Sequence, residues 1–319
     1  MYMRKAYGKY RKKYAKKIKI KSKYSKEHRR LERITGVLSN ILAVVLVIIF
    51  IALVLKLTVY KKISLKANVS DIVAMNISYN DFEVLKNLAE KYNLDFPSLL
   101  TYYCAENNFF INKPVVNSSE YIEENFAKNL NRIRFKYKYK TIEPIEKMLY
   151  TILEEIIYFP IPEGFPVENG NDYTYGNTWG ALREYGGNRT HQGTDIVDSL
   201  NSRGRIPVVS MTNGQIKHIG WNELGGYRIG ILTENGTYYY YAHLSEFAKG
   251  LAAGDKIKAG YIIGFMGDSG YSKKEGTTGN FIVHLHVGIS YNLPSEKEEL
   301  WVNPYIFLRY VEKNRLILD

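Results

Sequence analysis

Four of the six histidines in this chain fall in three short segments, and one aspartate stands with them. His191 and Asp195 are four apart in T-H-Q-G-T-D-I, His284 and His286 are two apart in V-H-L-H-V, and His243 sits in Y-Y-A-H-L. The remaining two, His28 and His218, stand elsewhere; His218 reads as a surface residue of the strand-like G-Q-I-K-H-I-G. Two imidazoles and a carboxylate make an open zinc shell, whose fourth position can hold the water that a hydrolase needs. In V-H-L-H-V, strand alternation points His284 and His286 to one face and Leu285 and Val287 to the other, so one histidine can bind metal and the other substrate. Either spacing alone occurs by chance. Their joint presence in a strand context carries the inference. H-Q-G-T-D is a glycine-punctuated extended segment, so the helix-borne glutamate base of the His-Glu-x-x-His type is absent from it.

The elements around these residues read as β. A break at Y-F-P-I-P-E-G-F-P excludes both a regular helix and a central strand, and marks the start of a domain at 159–310. Beyond it the hydrophobic period is two. Strands are expected over 206–210, 214–219, 227–232, 237–244, 260–267 and 281–289, with turns at Gly225-Gly226, Asn235-Gly236 and Ala253-Gly254-Asp255. The expected architecture is mostly β, antiparallel, with a two-sheet core.

Ahead of the break the period is helical. Asn80 and Glu83 fit a capping box before Phe82, Leu85, Leu88 and Ala89; a second helix begins near Phe96-Pro97 and ends at Glu106. A third is expected over 120–130 and a fourth over 142–157, giving a small all-α domain within 58–158. Glu106 has no partner carboxylate suited to glycoside chemistry and reads as a solvated helix residue. The single cysteine, Cys104, excludes an internal disulfide and reads as a core residue among apolar and aromatic neighbours.

The amino-terminal segment sets the location. Residues 1–33 hold fifteen Lys or Arg against two acidic residues, a charge of +13 in a chain whose net charge is +12. Residues 34–55 carry no charge, a length matching the roughly 20 apolar residues that span hydrocarbon as a helix. The run is longer than a signal-peptide core and lacks an obvious cleavage site. The expectation is a cytoplasmic basic arm at 1–33, a transmembrane helix at 34–57 and everything beyond it outside the membrane. The arm, with five tyrosines, has nucleic-acid-like composition, but it abuts the span, where its charge orients the helix and meets anionic lipid; the lipid bilayer is its expected partner and no nucleic acid is expected.

From about Phe159 to Pro304 the chain resembles the M23 peptidases, the lysostaphin- and LytM-like zinc endopeptidases of bacterial cell walls. The resemblance lies in H-Q-G-T-D-I, in G-G-Y-R-I-G-I-L before Y-Y-Y-Y-A-H-L, in G-D-K-I-K-A-G-Y-I-I-G-F-M-G and in H-L-H-V. It implies one zinc ion held by His191, Asp195 and His286, with His243 and His284 as catalytic residues of the cleft; His284 or His243 must serve as the base, and His284 is the favoured one. It implies a zinc metalloendopeptidase that cuts peptidoglycan stem or cross-bridge peptides at the outer face of the cell membrane. The ending His-x-His-Phe-Glu is His-Leu-His-Val-Gly here, and a longer D-S-G-Y-S-K-K-E-G-T-T-G-N-F-I-V-H replaces the short family approach to it, which bears on substrate fit more than on zinc. Arg183 and Asn188 are candidate substrate contacts, and residues 311–319 form a tail. The alternative is a catalytically silent membrane-anchored scaffold or adaptor of a sporulation, division or conjugation complex, whose protein partners would meet the helical domain. Retention of all five site residues favours the enzyme.

Overall fold

A computed structural model describes residues 2–59, 68–106, 109, 139–165, 172–293 and 299–318. Helix α1 (Tyr2–Val59) joins the basic arm and the apolar run in one element. No proline interrupts these 58 residues, and the lysines and arginines of the arm are good helix formers. Within Ala15–Leu53 the mean hydropathy of the apolar stretch reaches 2.9, and none of that stretch is buried. Val44, Ile48 and Phe50 all stand exposed. Among the described residues α1 alone is long and apolar enough to cross a bilayer, which supports a single-pass topology.

Residues Met1–Lys62 and Ile63–Asp319 form two separate compact units. The second unit contains the helical segment and the strands together. Its first helices are α2 (Val69–Ala74), α3 (Tyr79–Lys91), α4 (Phe96–Glu106) and α5 (Tyr139–Glu155). Asn68 caps α2 through a capping box with Asp71, an Asn-x-x-Asp signal at the start of a helix too short to show a period. The N-cap of α3 is Ser78, whose hydroxyl accepts from the Asp81 N–H at 3.0 Å, and not the expected Asn80. Ser78 and Asp81 repeat the same spacing two residues earlier, and the serine wins because the chain is still extended there. The face read from the sequence is buried: Phe82 and Leu85 are almost fully enclosed, as are Leu100, Leu149 and Ile152 from the other helices. Cys104 lies in this core, where burial pushes its thiol up to about 12. The helix expected over 120–130 and the side chain of Glu106 lie outside the described residues.

The strands form one antiparallel network. Its main path runs β1 (Tyr173–Tyr175), β4 (Thr194–Asp198), β11 (His284–Tyr291), β8 (Tyr238–Phe247), β7 (Gly226–Leu232), β6 (Gly214–Asn222) and β9 (Lys256–Ile257). Strand β10 (Ile262–Met266) branches from β8 and pairs with β5 (Pro207–Val209), while β12 (Leu300–Val302) pairs with β11. The expected strands are present and antiparallel, and β8 links the branches into a ten-stranded sheet where two sheets were expected. Ten residues long, β8 has a register shift at Phe265/Met266 of its partner, so one strand serves both β7 and β10. A separate ribbon pairs β2 (Leu182–Arg183) with β3 (Arg189–Thr190).

The proline-rich segment after α5 is a packed seam. Phe159 is fully buried against Tyr173, and the Ile157 N–H donates to the Met211 carbonyl at 2.8 Å. Helix α6 (Tyr305–Val311), absent from the sequence reading, closes the unit. Tyr310 meets Phe82 and Phe96 of the helical segment, and Asn303 ahead of α6 donates its side-chain amide to the Ala74 carbonyl at 2.9 Å. The expected tail is also tied down, because Arg315 donates to the carbonyls of Ile161 and Pro162 and pairs with Asp172.

Candidate metal centre

Three neighbouring strands of the sheet carry the site. In the β4–β11 ladder Asp195 is registered with His286, and Val197 with His284; on the other side of β11, His286 is registered with Ala242 of β8. Side chains directly opposite on an antiparallel pair stand about 5 Å apart at Cβ, so the register alone brings Asp195 to His286. Thr194, Ile196, Leu285 and Val287 point into the core, which leaves Asp195, His284 and His286 on the other face, as alternation predicted.

His191 enters from the ribbon. Its N–H donates to the Ala181 carbonyl at 2.8 Å and its carbonyl accepts from Gly180 at 2.9 Å, which fixes the backbone; Nδ1 then donates to the Thr178 carbonyl at 3.1 Å. That bond leaves the proton on Nδ1 and turns Nε2 inward with its lone pair. Gly193, between the two motif residues, is required here: a Cβ on it would lie 2.4 Å from the His286 ring and 2.7 Å from the Val287 carbonyl.

The three inward atoms converge. His191 Nε2 lies 2.9 Å from His286 Nδ1 and 3.1 Å from Asp195 Oδ1, and His286 Nδ1 lies 3.0 Å from the same oxygen. With its Nδ1 proton directed to the Thr178 carbonyl, His191 turns the lone pair of Nε2 toward the carboxylate. A cation resolves that opposition. A tetrahedral zinc shell with ligands at 2.0–2.1 Å spaces its donor atoms about 3.3 Å apart, only slightly wider than this triangle. The donor set and its spacing therefore fit one zinc ion at His191, Asp195 and His286.

The charges agree with that fit. Burial acts to raise Asp195, but the imidazoles of His191, His286 and His284 gathered around it outweigh that and hold the carboxyl well below the usual carboxylate range. Burial lowers His286 and keeps it neutral, the form a metal ligand requires. The second carboxylate oxygen, Oδ2, accepts from Arg183 Nη2 at 2.5 Å, so Oδ1 alone is left to face the cluster. Arg183 was expected to touch substrate; it lines the cleft and holds Asp195. Asn188, the other expected contact, is exposed on the turn of the ribbon and does not line the cleft.

Two further imidazoles complete the face. His284 Nδ1 donates to the Ile282 carbonyl at 2.8 Å, and its Nε2 stands 3.8 Å from Asp195 Oδ1. His243 occupies a bulge of β8 with φ 62°, in the left-handed region, where the register with β7 shifts; its Nδ1 donates to the Ser269 carbonyl at 2.8 Å. Burial lowers both histidines, strongly for His243. The rings of His243 and His284 stand 4.7 Å apart. Sequence reasoning missed the support beneath them. Ser269 donates to the Leu244 carbonyl at 2.6 Å and accepts from the Tyr227 N–H at 3.0 Å, and a Cβ at Gly226 would fall 2.3 Å from it. The pairs G-G-Y and D-S-G carry that signal, but only the fold shows that they touch. His218 stays outside the site, exposed on β6 and bonded to the Tyr238 hydroxyl at 3.1 Å. The cleft over the cluster encloses about 450 Å³, with Arg189, Asn222, Tyr240, Tyr271 and Phe281 among its walls.

Comparisons with known proteins agree with this geometry. The profile of peptidase family M23 matches residues 189–299. The chain is 42% identical over 149 residues to the L-Ala–D-Glu endopeptidase of Bacillus subtilis, covering 47% of this chain and 44% of that relative. It is 38% identical over 106 residues to the glycyl-glycine endopeptidase ALE-1 of Staphylococcus capitis, covering 32% of this chain and 27% of that one. The chain thus spans less than half the length of either relative. A crystal structure of a candidate glycyl-glycine endopeptidase lytM from Ruminococcus gnavus aligns with a TM-score of 0.61 and 37% identity, over 78% of this chain and 92% of that one. That share is too large for the strands alone, so the likeness includes helical parts of the second unit.

Removing the Arg183 guanidinium should free Asp195 Oδ2 and loosen the carboxylate. Arg183→Gln is expected to weaken zinc binding about 10–100-fold in a chelator competition, with the fold retained by circular dichroism. Unchanged affinity would show that the arginine does not position the ligand.

Proposed function

Because the chain belongs to peptidase family M23, we propose that it is a membrane-anchored zinc endopeptidase cutting peptide bonds of peptidoglycan. The observation that carries this reading is the convergence of His191 Nε2, Asp195 Oδ1 and His286 Nδ1 beside two more buried imidazoles on one sheet face. A zinc ion held by those three residues would supply a water of lowered pKa and a Lewis acid for the scissile carbonyl. The remaining steps belong to the protein's own groups.

His284 is assigned as the base. Its Nδ1 proton is held by the Ile282 carbonyl, so Nε2 presents a lone pair to the cleft, and the nearby Asp195 charge favours the imidazolium formed when Nε2 takes the proton of the attacking water. The same imidazolium then returns that proton to the leaving amine as the C–N bond breaks. His243 is the second catalytic imidazole. With its Nδ1 proton held by the Ser269 carbonyl, its Nε2 is an acceptor that can receive a hydrogen bond from the attacking water. Asn188, exposed on the ribbon turn, is assigned to outer parts of a bound peptide.

The relatives named above act on L-Ala–D-Glu and glycyl-glycine bonds respectively, and both bond classes are short peptides of the kind that a wall-facing cleft would meet. Wall access depends on orientation. The +13 charge of residues 1–33, against Lys56, Lys61 and Lys62 behind the apolar run, supports an orientation with the amino end in the cytoplasm and the second unit outside. Protein partners in an envelope complex would meet the helical face of the second unit.

Two measurements test this reading. Purified full chain should release new amino termini from peptidoglycan; His284→Ala should keep its zinc and lose about 10²–10⁴-fold in rate, while His191→Ala should lose both zinc and release. No release across several cross-link types by a zinc-loaded chain would remove the enzyme and leave a scaffold. Protease added to wall-stripped cells should degrade the chain beyond Lys62 and spare residues 1–33; the reverse pattern would place the site away from any wall.

A further inference from the structure

Arg183 and Arg189 face one another across the β2–β3 ribbon as registered partners. Like charges directly opposite on paired strands repel, so each needs an answer. Arg183 has one in Asp195. Among the described residues no carboxylate pairs with Arg189. Its guanidinium is instead clamped by neutral groups: Nε donates to the Tyr185 carbonyl at 3.0 Å, Nη2 donates to the Tyr271 hydroxyl at 3.0 Å, and the group lies 5.5 Å over the Tyr271 ring. That ring is itself stacked on Tyr185, with centroids 4.6 Å apart and planes within 1°.

This arrangement fixes the position of a cation without cancelling its charge. A guanidinium has five N–H donors, and the two bonds to Tyr185 and Tyr271 leave three for a ligand. Arg189 lines the same cleft as the metal cluster and precedes His191 by two residues. Among the described residues Asp195 is the sole carboxylate lining that cleft, and it is already shared by Arg183, His191 and His286. A bound dication makes the cleft more positive still. The group that completes such a site is a carboxylate, which a planar guanidinium holds by paired hydrogen bonds.

We propose that the cleft selects peptides bearing a free carboxylate close to the scissile bond, with Arg189 as its anchor, over uncharged bridges such as polyglycine. This rests on the zinc endopeptidase reading for the bond cut, and adds the chemical class of the substrate.

The test uses the zinc-loaded full chain in detergent and two synthetic stem-type peptides. They share one sequence and differ in a single glutamyl group, free α-carboxylate in one and α-carboxamide in the other. Cleavage of both is measured, together with binding of versions whose scissile amide is N-methylated and resists hydrolysis. The acid form should be favoured about tenfold or more in both readouts, as expected for a charge-assisted bond. The preference should weaken with salt, collapse toward one in Arg189→Gln and survive in part in Arg189→Lys, which keeps the charge without the fork. A wild-type ratio near one, or a ratio unmoved by Arg189→Gln, overturns the proposal. Zinc content and thermal melting of each variant separate misfolding from lost recognition. Acid-selective binding without hydrolysis would sustain the anion site and remove the endopeptidase, whereas hydrolysis without selectivity would do the reverse.

Discussion

The antiparallel register of β4 on β11 is the constraint on which the site depends. It sets Asp195 opposite His286 and Val197 opposite His284, and a slip of one residue would turn every one of these side chains into the core. The core resists such a slip. Ile196, Leu285, Val287 and Ile289 are fully buried on the far face, so the hydrophobic energy of the sheet and the geometry of the metal ligands are enforced by the same hydrogen bonds. Placing the ligands on central strands rather than loops gives the cluster the rigidity of the sheet. Only His191 arrives from outside the ladder, and the ribbon secures it through both its backbone groups and Nδ1.

A second layer of contacts presets protonation. Thr178, Ile282 and Ser269 each offer a carbonyl to one imidazole Nδ1, which directs Nε2 of His191, His284 and His243 inward. The carbonyl of Ser269 depends on its own loop. Asp268 beside it pairs with Arg203 at 2.5 Å and accepts from the Gly279 N–H at 2.9 Å, so the long segment between β10 and β11 is pinned at both ends. Burial acts to raise Asp268, and Arg203 outweighs that and keeps it charged. The lengthened approach to His284 thus has a structural anchor, and its aromatic residues Tyr271 and Phe281 wall the cleft.

Much of this was legible in the residues themselves. Period-two alternation located β5, β6, β7, β8, β10 and β11 to within a few residues but not the short β1, β4, β9 and β12, and it placed His284 and His286 on one face because a pleated strand permits nothing else. The spacing of Phe82, Leu85 and Ala89 found the buried face of α3, although its cap lies two residues earlier than Asn80 suggested, since Ser78 and Asp81 carry a competing signal. Helices α2 and α6 were missed because six or seven residues are too few to show a period. The bulge at His243 was invisible for a different reason. It exists only in the pairing of β8 with β7, a long-range relation that no local pattern encodes. The hold of Arg183 on Asp195 is of the same kind, a contact across twelve residues made by the ribbon fold.

The central claim is that this register builds an open set of three light donors, His191, Asp195 and His286, for one zinc ion. Zinc-edge X-ray absorption on the full chain tests it directly. The account predicts one zinc per chain, with four nitrogen or oxygen donors at about 2.0–2.1 Å, imidazole scattering from two histidines, and loss of that shell in His286→Ala. Substoichiometric zinc, a sulfur scatterer from Cys104, or a shell unchanged in His286→Ala would contradict it.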